Sequence, residues 1–431
     1  MNPFDRMPAR QGVRARCLVV VLAMVAPFWA PAAHAQTLDD QYSNYLEGKC
    51  SNMHFARDDN FDLLPGQAGP HLMAYCSGQL IVGGAIETSS TGGAAGAEEL
   101  SNQGGEEDRA LQRRRKRLEN DTGPADPADT ELANFGATSI FSSFDYQHEH
   151  QTSTQYEAGR TSHGFGGLLG ADYRFGTKAV AGLALRYQEL SGTIESGGNF
   201  STHAPGIRAY ASWLPVEGLF IDAAAGFDRR SVDTLRIVGL KVTVFGHGGP
   251  GFSSYNPPLT PATSNTHERI ANAAVQTGYD FHSGGTAFGP RLGLAYSHSV
   301  LDPYVESGDT PMTLAFDEQA RTSLRTLTGF QVTHTFNGRA GVLVPQLNAD
   351  WVHEYRDDQQ LLTAHFAEDL RPDPTQLHFL NNPPDRDWFV FRLSTVAVLP
   401  HGVSLFVAAE ASAGNWLVER YVGSLGVRWE L

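Results

Sequence analysis

The stretch "GLLGADYRF", Gly167–Phe175, decides the fold, because its apolar and polar residues alternate strictly. On an extended strand, alternate side chains point to opposite faces, so one face here is apolar and the other is charged. The apolar face has Leu169, Ala171, Tyr173 and Phe175, and the charged face has Asp172 and Arg174. The tight-turn sequence "GTKA" follows at once, at residues 176–179. The stretch therefore predicts a β-strand that ends in a hairpin turn.

The same alternation recurs from about Phe135 to Leu431 and predicts twelve strands. They are expected at 138–150, 162–175, 179–190, 205–214, 218–230, 268–281, 286–299, 321–336, 340–356, 386–399, 402–411 and 419–431. Every second connection is tight, whereas the longest of the others are 231–266, 301–320 and 356–385. Short turns then lie at one end and long loops at the other. This pattern predicts an all-β, 12-stranded antiparallel up-and-down transmembrane β-barrel, whose closure satisfies every backbone group in lipid.

In such a barrel the apolar face meets lipid and the polar face lines the lumen. The expected lumenal acids are Asp172, Asp222, Asp228, Asp350, Glu354 and Glu410. Some of them are expected to pair with lumenal Arg186, Arg291, Arg392 and Arg428. Aromatic residues near strand ends fit the two interfacial girdles of a barrel: Tyr173, Phe175, Trp213, Trp351, Tyr355, Trp388, Phe389, Tyr421 and Trp429.

Residues 1–35 have the pattern of a signal peptide, with a basic start, the apolar run "CLVVVLAMVAPFWA" and the small-x-small site "AHA". The apolar run is shorter than the ~20 residues that a membrane span needs, so cleavage between Ala35 and Gln36 is expected. Two cysteines remain, Cys50 and Cys76. In an oxidising compartment they predict a disulfide, with two free thiols as the alternative.

Residues 36–95 form a short, irregular N-terminal segment, and residues 96–134 read as a helical linker before the barrel at 135–431. The helix candidate, Glu106–Asn120, is too polar to bury against an apolar core. It is either a solvated linker or a helix that lies in a water-filled lumen.

Charge and motifs exclude several function classes. The formal net charge of −15 argues against a nucleic-acid surface. The chain has no G-x-S-x-G, P-loop, H-E-x-x-H or C-x-x-C motif, so we expect no catalytic, cofactor-binding or metal-binding residues and no enzyme activity. The stretch "HEH" (148–150) could bind a metal, but a strand would point its two histidines away from Glu149.

The region from Phe135 to Leu431 resembles the β-barrel domain of autotransporters, the type V secretion translocators. The stretches that carry this resemblance are "GGLLGADYRFGTKAVAGLALRY", "GLFIDAAAGFDRRSVDT", "RLGLAYSHSVLDPYVESG", "GVLVPQLNADWVHEYRDD" and the terminal "GSLGVRWEL". The most specific group is Gly341, Pro345, Trp351 and Glu354.

The resemblance implies a barrel in the bacterial outer membrane, with a helix through its lumen and an N-terminal passenger carried to the cell surface. It also implies assembly partners, namely periplasmic chaperones and the outer-membrane β-barrel assembly machinery. That machinery would read the last strand, with Trp429 and Leu431 as the signal.

The passenger predicted by this resemblance is very short, because only residues 36–95 precede the linker and they contain no internal repeat. Two functions follow. In the first, the barrel exports or displays its short N-terminal segment. In the alternative, it does not secrete and acts through its long external loops as an adhesin, a structural protein or a pore. The sequence identifies no external ligand.

Overall fold

The computed structural model describes residues 86–88 and 137–430, apart from 196, 241, 246–251, 256–259, 311 and 339–340. The predicted signal peptide, the Cys50–Cys76 disulfide, the linker at 96–134 and Leu431 lie outside the described residues and stay predictions.

Twelve long strands form the barrel. They are β1 (Thr138–Gln151), β2 (Arg160–Phe175), β3 (Ala179–Ile194), β4 (Gly198–Val216), β5 (Leu219–Leu240), β6 (Thr260–Tyr279), β7 (Thr286–Leu301), β8 (Gln319–His334), β9 (Gly341–Glu354), β10 (Asp387–Val398), β11 (Val403–Ala413) and β12 (Val418–Glu430). Each strand pairs antiparallel with the next, and β12 pairs with β1 from Ser139↔Glu430 to Gln151↔Val418. The sheet is therefore closed, as the sequence predicts.

The turns after β2, β4, β6, β8 and β10 are tight, and the long connections lie at the opposite end. Because outer-membrane barrels have short periplasmic turns and long external loops, we call the two ends the turn end and the outer end.

Side chains alternate between the two faces as predicted. Leu169, Tyr173 and Phe175 are exposed on the barrel surface, whereas Asp172 points inward and is only 4% exposed. The outer face is rich in exposed apolar side chains, and at the turn end Tyr173 and Phe175 contact each other with ring centroids 4.9 Å apart. Trp388 is an exception to the predicted girdles, because it is 7% exposed and faces the lumen.

The loop predicted at 231–266 is shorter in the structure than the sequence indicated. Strand β5 continues to Leu240 and β6 begins at Thr260, so much of that loop is a hairpin that extends the barrel outward. In this extension Val232 and Val238 are buried inward while Asp233 lies on the outer face. The lipid-facing pattern that the prediction used is therefore not kept here, because Ser231 and Asp233 share the outer face with Leu235 and Ile237.

Pro345 interrupts a ladder without shifting it. Strand β9 pairs with β8 at Thr333↔Gln346 and with the short strand Phe336–Gly338 at Phe336↔Leu343, in the same register. Opposite Pro345 the β8–β9 pairing is broken, while Pro345↔Thr395 continues on the β10 side. Since proline has no N–H to donate, the local break accommodates it without the bulge that is common at such positions.

Candidate functional site: the lumen and its outer cap

The lumen is lined by buried ion pairs that join neighbouring and more distant strands. Arg208 binds Asp228 through two hydrogen bonds of 3.0 and 2.6 Å, and Arg291 Nε donates to Asp350 Oδ1 at 2.6 Å. These four side chains are at most 7% exposed. Because an uncompensated buried charge is costly, the pairs show how the barrel tolerates so many charged residues inside.

The other predicted lumenal acids also have partners. Arg392 donates to Glu410 at 2.9 and 2.6 Å, and Arg428 Nη2 donates to Asp172 Oδ1 at 3.0 Å. Asp222 accepts a hydrogen bond from Ser212 at 2.5 Å. The prediction that lumenal arginines neutralise lumenal acids is therefore confirmed, and the described lumen is not simply a negatively charged channel.

A cavity of about 60 Å³ lies in the lumen between strands β7 to β12. Arg325, Arg392 and Arg420 line it together with Glu410 and the indole of Trp388. This volume holds a few water molecules at most, since one water needs about 10–15 Å³ of such space. The cavity is thus a small pocket with a partly charged lining.

Two outer loops fold into a separate small sheet. Its four strands are Tyr304–Val305, Leu314–Phe316, Leu361–Phe366 and Gln376–Leu380, in that order across the sheet. The side chains of Tyr304, Met312, Leu314, Phe316, Leu362, Phe366, Leu377 and Phe379 are buried in it. The rings of Tyr304 and Phe316 stack at 4.7 Å, and Phe379 packs edge-on against Phe316 at 6.0 Å. We call loops 302–318 and 355–386, with this core, the outer cap.

A buried ion pair fastens the cap to strand β5. Arg236 Nε donates to Glu306 Oε1 at 2.9 Å, its Nη2 donates to Glu306 Oε2, and Nη2 also donates to the carbonyl of Met312 at 3.0 Å. Glu306 Oε2 accepts the Leu314 backbone N–H at 2.9 Å as well. Burial, reinforced by the Glu306 charge, raises the pKa of Tyr304 well above its ordinary value. One guanidinium thus contacts the 302–318 loop at two points, Glu306 and Met312.

A second anchor joins the cap to the loop between β1 and β2. Asn382 Nδ2 donates to Glu157 Oε2 at 2.8 Å, and Gln151 Nε2 donates to the same oxygen at 2.8 Å. Thr154 Oγ1 donates to Asn382 Oδ1. Glu157 and Thr154 belong to the loop between β1 and β2, which we call the first outer loop. Strands β11 and β12 separate this loop from β10, so the contact spans part of the ring.

Two further contacts fix the base of the 355–386 loop. Asp385 Oδ2 accepts backbone N–H groups of Trp416 and Leu417, and burial raises the pKa of Asp385. A hydrogen bond from Arg386 lowers the pKa of Asp357. With anchors on β5, on the first outer loop and on the β11–β12 loop, the cap lies across the outer mouth of the barrel.

The described N-terminal residues also lie at the outer end. The backbone of Ile86–Thr88 pairs antiparallel with Val238–Leu240 of β5. Strand β4 pairs with β5 only as far as Arg236. Beyond that point the same edge of β5 pairs with Ile86–Thr88 instead.

The four family-motif residues have structural roles in β9. Gly341 has φ 138°, and a Cβ there would lie 2.2 Å from the Val398 carbonyl oxygen. Trp351 is exposed on the outer face, where its Nε1 donates to Asp387 at 3.0 Å. Glu354 is buried and accepts N–H groups of Leu324 and Arg356, both at 2.9 Å. Gly341 therefore allows a close backbone approach at the start of β9, and Trp351 and Glu354 form side-chain hydrogen bonds near its end.

Of the predicted assembly signal, the structure describes Trp429, which is 60% exposed on β12. In "HEH", Glu149 faces inward and is buried while both histidines lie on the outer face, as predicted. Among the described residues, no group of three or more histidine, cysteine or acidic side chains is arranged to hold a metal ion. The part of the chain that the structure describes contains no helix long and apolar enough to cross a membrane.

A closed barrel with an apolar exterior, a charged interior, short turns throughout one end and all its long loops at the other defines an outer-membrane β-barrel. A sequence model described as "Autotransporter beta-domain" matches residues 140–410. This match covers more than half of the chain, so the protein belongs to the autotransporter β-domain family and is an outer-membrane translocator barrel. The alternative, a non-secreting adhesin, structural protein or pore, is not favoured.

Several solved structures are similar to the chain, and the first of them supports the fold. The chain is similar to the translocator domain of the autotransporter NalP from Neisseria meningitidis, with 11% identity, a TM-score of 0.51, and coverage of 77% of this chain and 99% of that one. It is also similar to the β domain of the Bordetella autotransporter BrkA, with 12% identity, a TM-score of 0.45, and coverage of 68% and 100%. For the transport unit of AIDA-I from Escherichia coli the values are 13%, 0.41, 68% and 90%. Comparison with curated protein sequences finds no match.

Proposed function

We propose that this barrel carries its own N-terminal segment, residues 36–95, to the cell surface and displays it there. The observation that supports this most directly is the pairing of Ile86–Thr88 with Val238–Leu240, beyond the outer rim. A segment that starts in the periplasm can reach that edge only by passing the barrel.

The cap sets the order of events. Because loops 302–318 and 355–386 lie across the mouth and are held by buried anchors, the segment passes before these loops fold. Cap folding then closes the outer mouth around the chain that still joins the exported segment to β1. This order explains how a translocator can also preserve the outer-membrane barrier.

The proposed route to the membrane is the one that membership of the family implies. The signal peptide is cleaved between Ala35 and Gln36, periplasmic chaperones carry the unfolded chain, and the barrel assembly machinery recognises the last strand through Trp429 and Leu431. A disulfide between Cys50 and Cys76 would close a loop of modest size. We further propose that the protein is not an enzyme and that its work is transport and display.

The experiment is an epitope tag placed just after Cys76 and probed on intact cells with antibody and external protease. We expect labelling of intact cells and loss of the tag on protease treatment. A second tag in the turn at 176–178 serves as the control, because it lies at the turn end and is expected to label only after permeabilisation. Labelling of the first tag only in permeabilised cells would refute surface display.

A further inference from the structure

Histidines are concentrated on the outward face near the outer end of the barrel. Each has inward-pointing neighbours on either side in its strand, as His353 does between buried Val352 and Glu354. We call this set the histidine belt; its seven members, on six strands, are His148, His150, His163, His203, His267, His298 and His353.

The belt lies close to the rim. On β1, β2, β7 and β9 its histidines are within three residues of the outer end of the strand. Strands β4 and β6 continue outward, and there His203 and His267 both pair with Ser231 of β5, one from each side. His148 and His163 are directly opposite each other on β1 and β2. These side chains therefore face the level of the headgroups of the outer leaflet rather than the middle of the membrane.

Several belt histidines are held by one ring nitrogen. The Nδ1 atom of His150 is 3.0 Å from Thr161 Oγ1, that of His298 is 2.9 Å from Thr322 Oγ1, and that of His203 is 3.3 Å from the Tyr187 hydroxyl. A hydroxyl group both donates and accepts, so it can keep this contact with neutral and with protonated imidazole. The Nε2 atom is then left for a partner outside the barrel.

The charge of the belt changes sign when its histidines are protonated. Seven carboxylates lie on the outward face or one residue beyond the outer end of a strand, and two arginines do: Glu189, Glu195, Asp233, Asp302, Glu318, Asp387 and Glu419, with Arg229 and Arg269. Three acids face a belt histidine across a strand pair, as His150↔Glu419, His203↔Glu189 and His353↔Asp387, the last at 2.8 Å. With neutral histidines the belt is net negative; with seven imidazolium groups it is net positive.

We propose that the histidine belt binds the phosphate groups of outer-leaflet headgroups, and that it does so below neutral pH. Imidazolium N–H groups form charge-assisted hydrogen bonds to phosphate, and the outward face of a membrane barrel is always in contact with its lipids. The proposal rests on the location of the barrel in the outer membrane, not on export of the N-terminal segment.

The test titrates the folded full-length protein, in neutral detergent micelles, with lipid A or with chemically dephosphorylated lipid A at about pH 5.5 and about pH 7.5. We expect lipid A to bind about tenfold more tightly at the lower pH, and the dephosphorylated lipid to bind weakly and without pH dependence. Equal affinities at the two pH values, or equal binding of the two lipids, would overturn the proposal. This arm uses the unchanged protein and so does not depend on a variant folding.

A variant with His148→Gln, His163→Gln, His267→Gln and His298→Gln is expected to lose the pH dependence. The matched control replaces His282, His334 and His401 by glutamine at the turn end and is expected to keep it. Retention of the dependence in the fourfold variant, checked for folding by its mobility shift on heating, would place phosphate binding elsewhere.

Discussion

The Arg236–Glu306 pair is expected to hold the outer cap closed, and Arg236→Met tests it. The two side chains are 2% and 5% exposed, so removing the guanidinium leaves a buried, uncompensated carboxylate. Breaking a buried pair in this way costs about 3–5 kcal/mol. At about 1.4 kcal/mol per tenfold change, cap opening should become roughly 100- to 4000-fold more frequent.

Amide hydrogen exchange followed by mass spectrometry measures this opening. The reporters are peptides from loop 302–318, where the backbone N–H of Glu306 donates to Leu314 at 2.8 Å and that of Leu314 donates to Glu306 at 2.9 Å. Peptides from β7 should keep their protection, because the barrel ladder does not depend on this pair.

Arg269→Met is the matched control in the same region. Arg269 and Asp302 form an ion pair at 3.0 Å, but their side chains are 54% and 42% exposed. Exposed pairs contribute about 0–1 kcal/mol, so exchange in the loop should rise no more than about fivefold. Equal effects of the two substitutions, or no effect of Arg236→Met, would refute the view that a buried charge pair locks the cap.

Three further predictions concern a close strand contact, the second cap anchor and pH. Gly289→Ala would place a Cβ 1.7 Å from a backbone carbonyl oxygen and should impair barrel assembly. In the control, Gly423→Ala, the added Cβ meets nothing within 4 Å, so this variant should assemble normally. The shift in gel mobility on heating measures assembly of both variants. Asn382→Ala removes hydrogen bonds to the first outer loop, costs about 1–3 kcal/mol and should raise single-channel conductance in planar bilayers. The hydrogen bond from Arg386 lowers the pKa of Asp357 in the folded protein. The stability that this pair contributes is therefore present above the ordinary pKa of aspartate and is lost as the pH falls through the lowered pKa. Hydrogen exchange in the 355–386 loop should thus rise on acidification, whereas in Asp357→Asn the loop is already loosened at neutral pH and should show no such rise.

The barrel could be predicted from the sequence because lipid imposes a strict rule on each strand. In β2, for example, the residues that meet lipid must be apolar and those that face the lumen need not be, so Tyr173 and Asp172 alternate visibly. The same rule located the five tight turns and the lumenal acids and arginines, although not which of them pair with each other.

Outside the membrane this rule does not apply, and there the sequence interpretation was incomplete. The outward extension of β5 places Val232 and Val238 inward and Asp233 outward, and the cap strands lie in stretches that the sequence analysis assigned to loops. Signals for the cap do exist, since "LLTAHF" (361–366) and "QLHFL" (376–380) alternate like strands. The anchors could not be predicted, because Arg236–Glu306 and Asn382–Glu157 join residues that are 70 and 225 positions apart in the chain.

The most direct test of the central claim, export of the N-terminal segment, is labelling of one thiol on intact cells. Glu87→Cys is made in a Cys50→Ser, Cys76→Ser background, at the position that pairs with Gly239 beyond the rim. A membrane-impermeant maleimide should label it on intact cells, while Lys178→Cys at the turn end should react only after permeabilisation. Labelling of Glu87→Cys only after permeabilisation would contradict export.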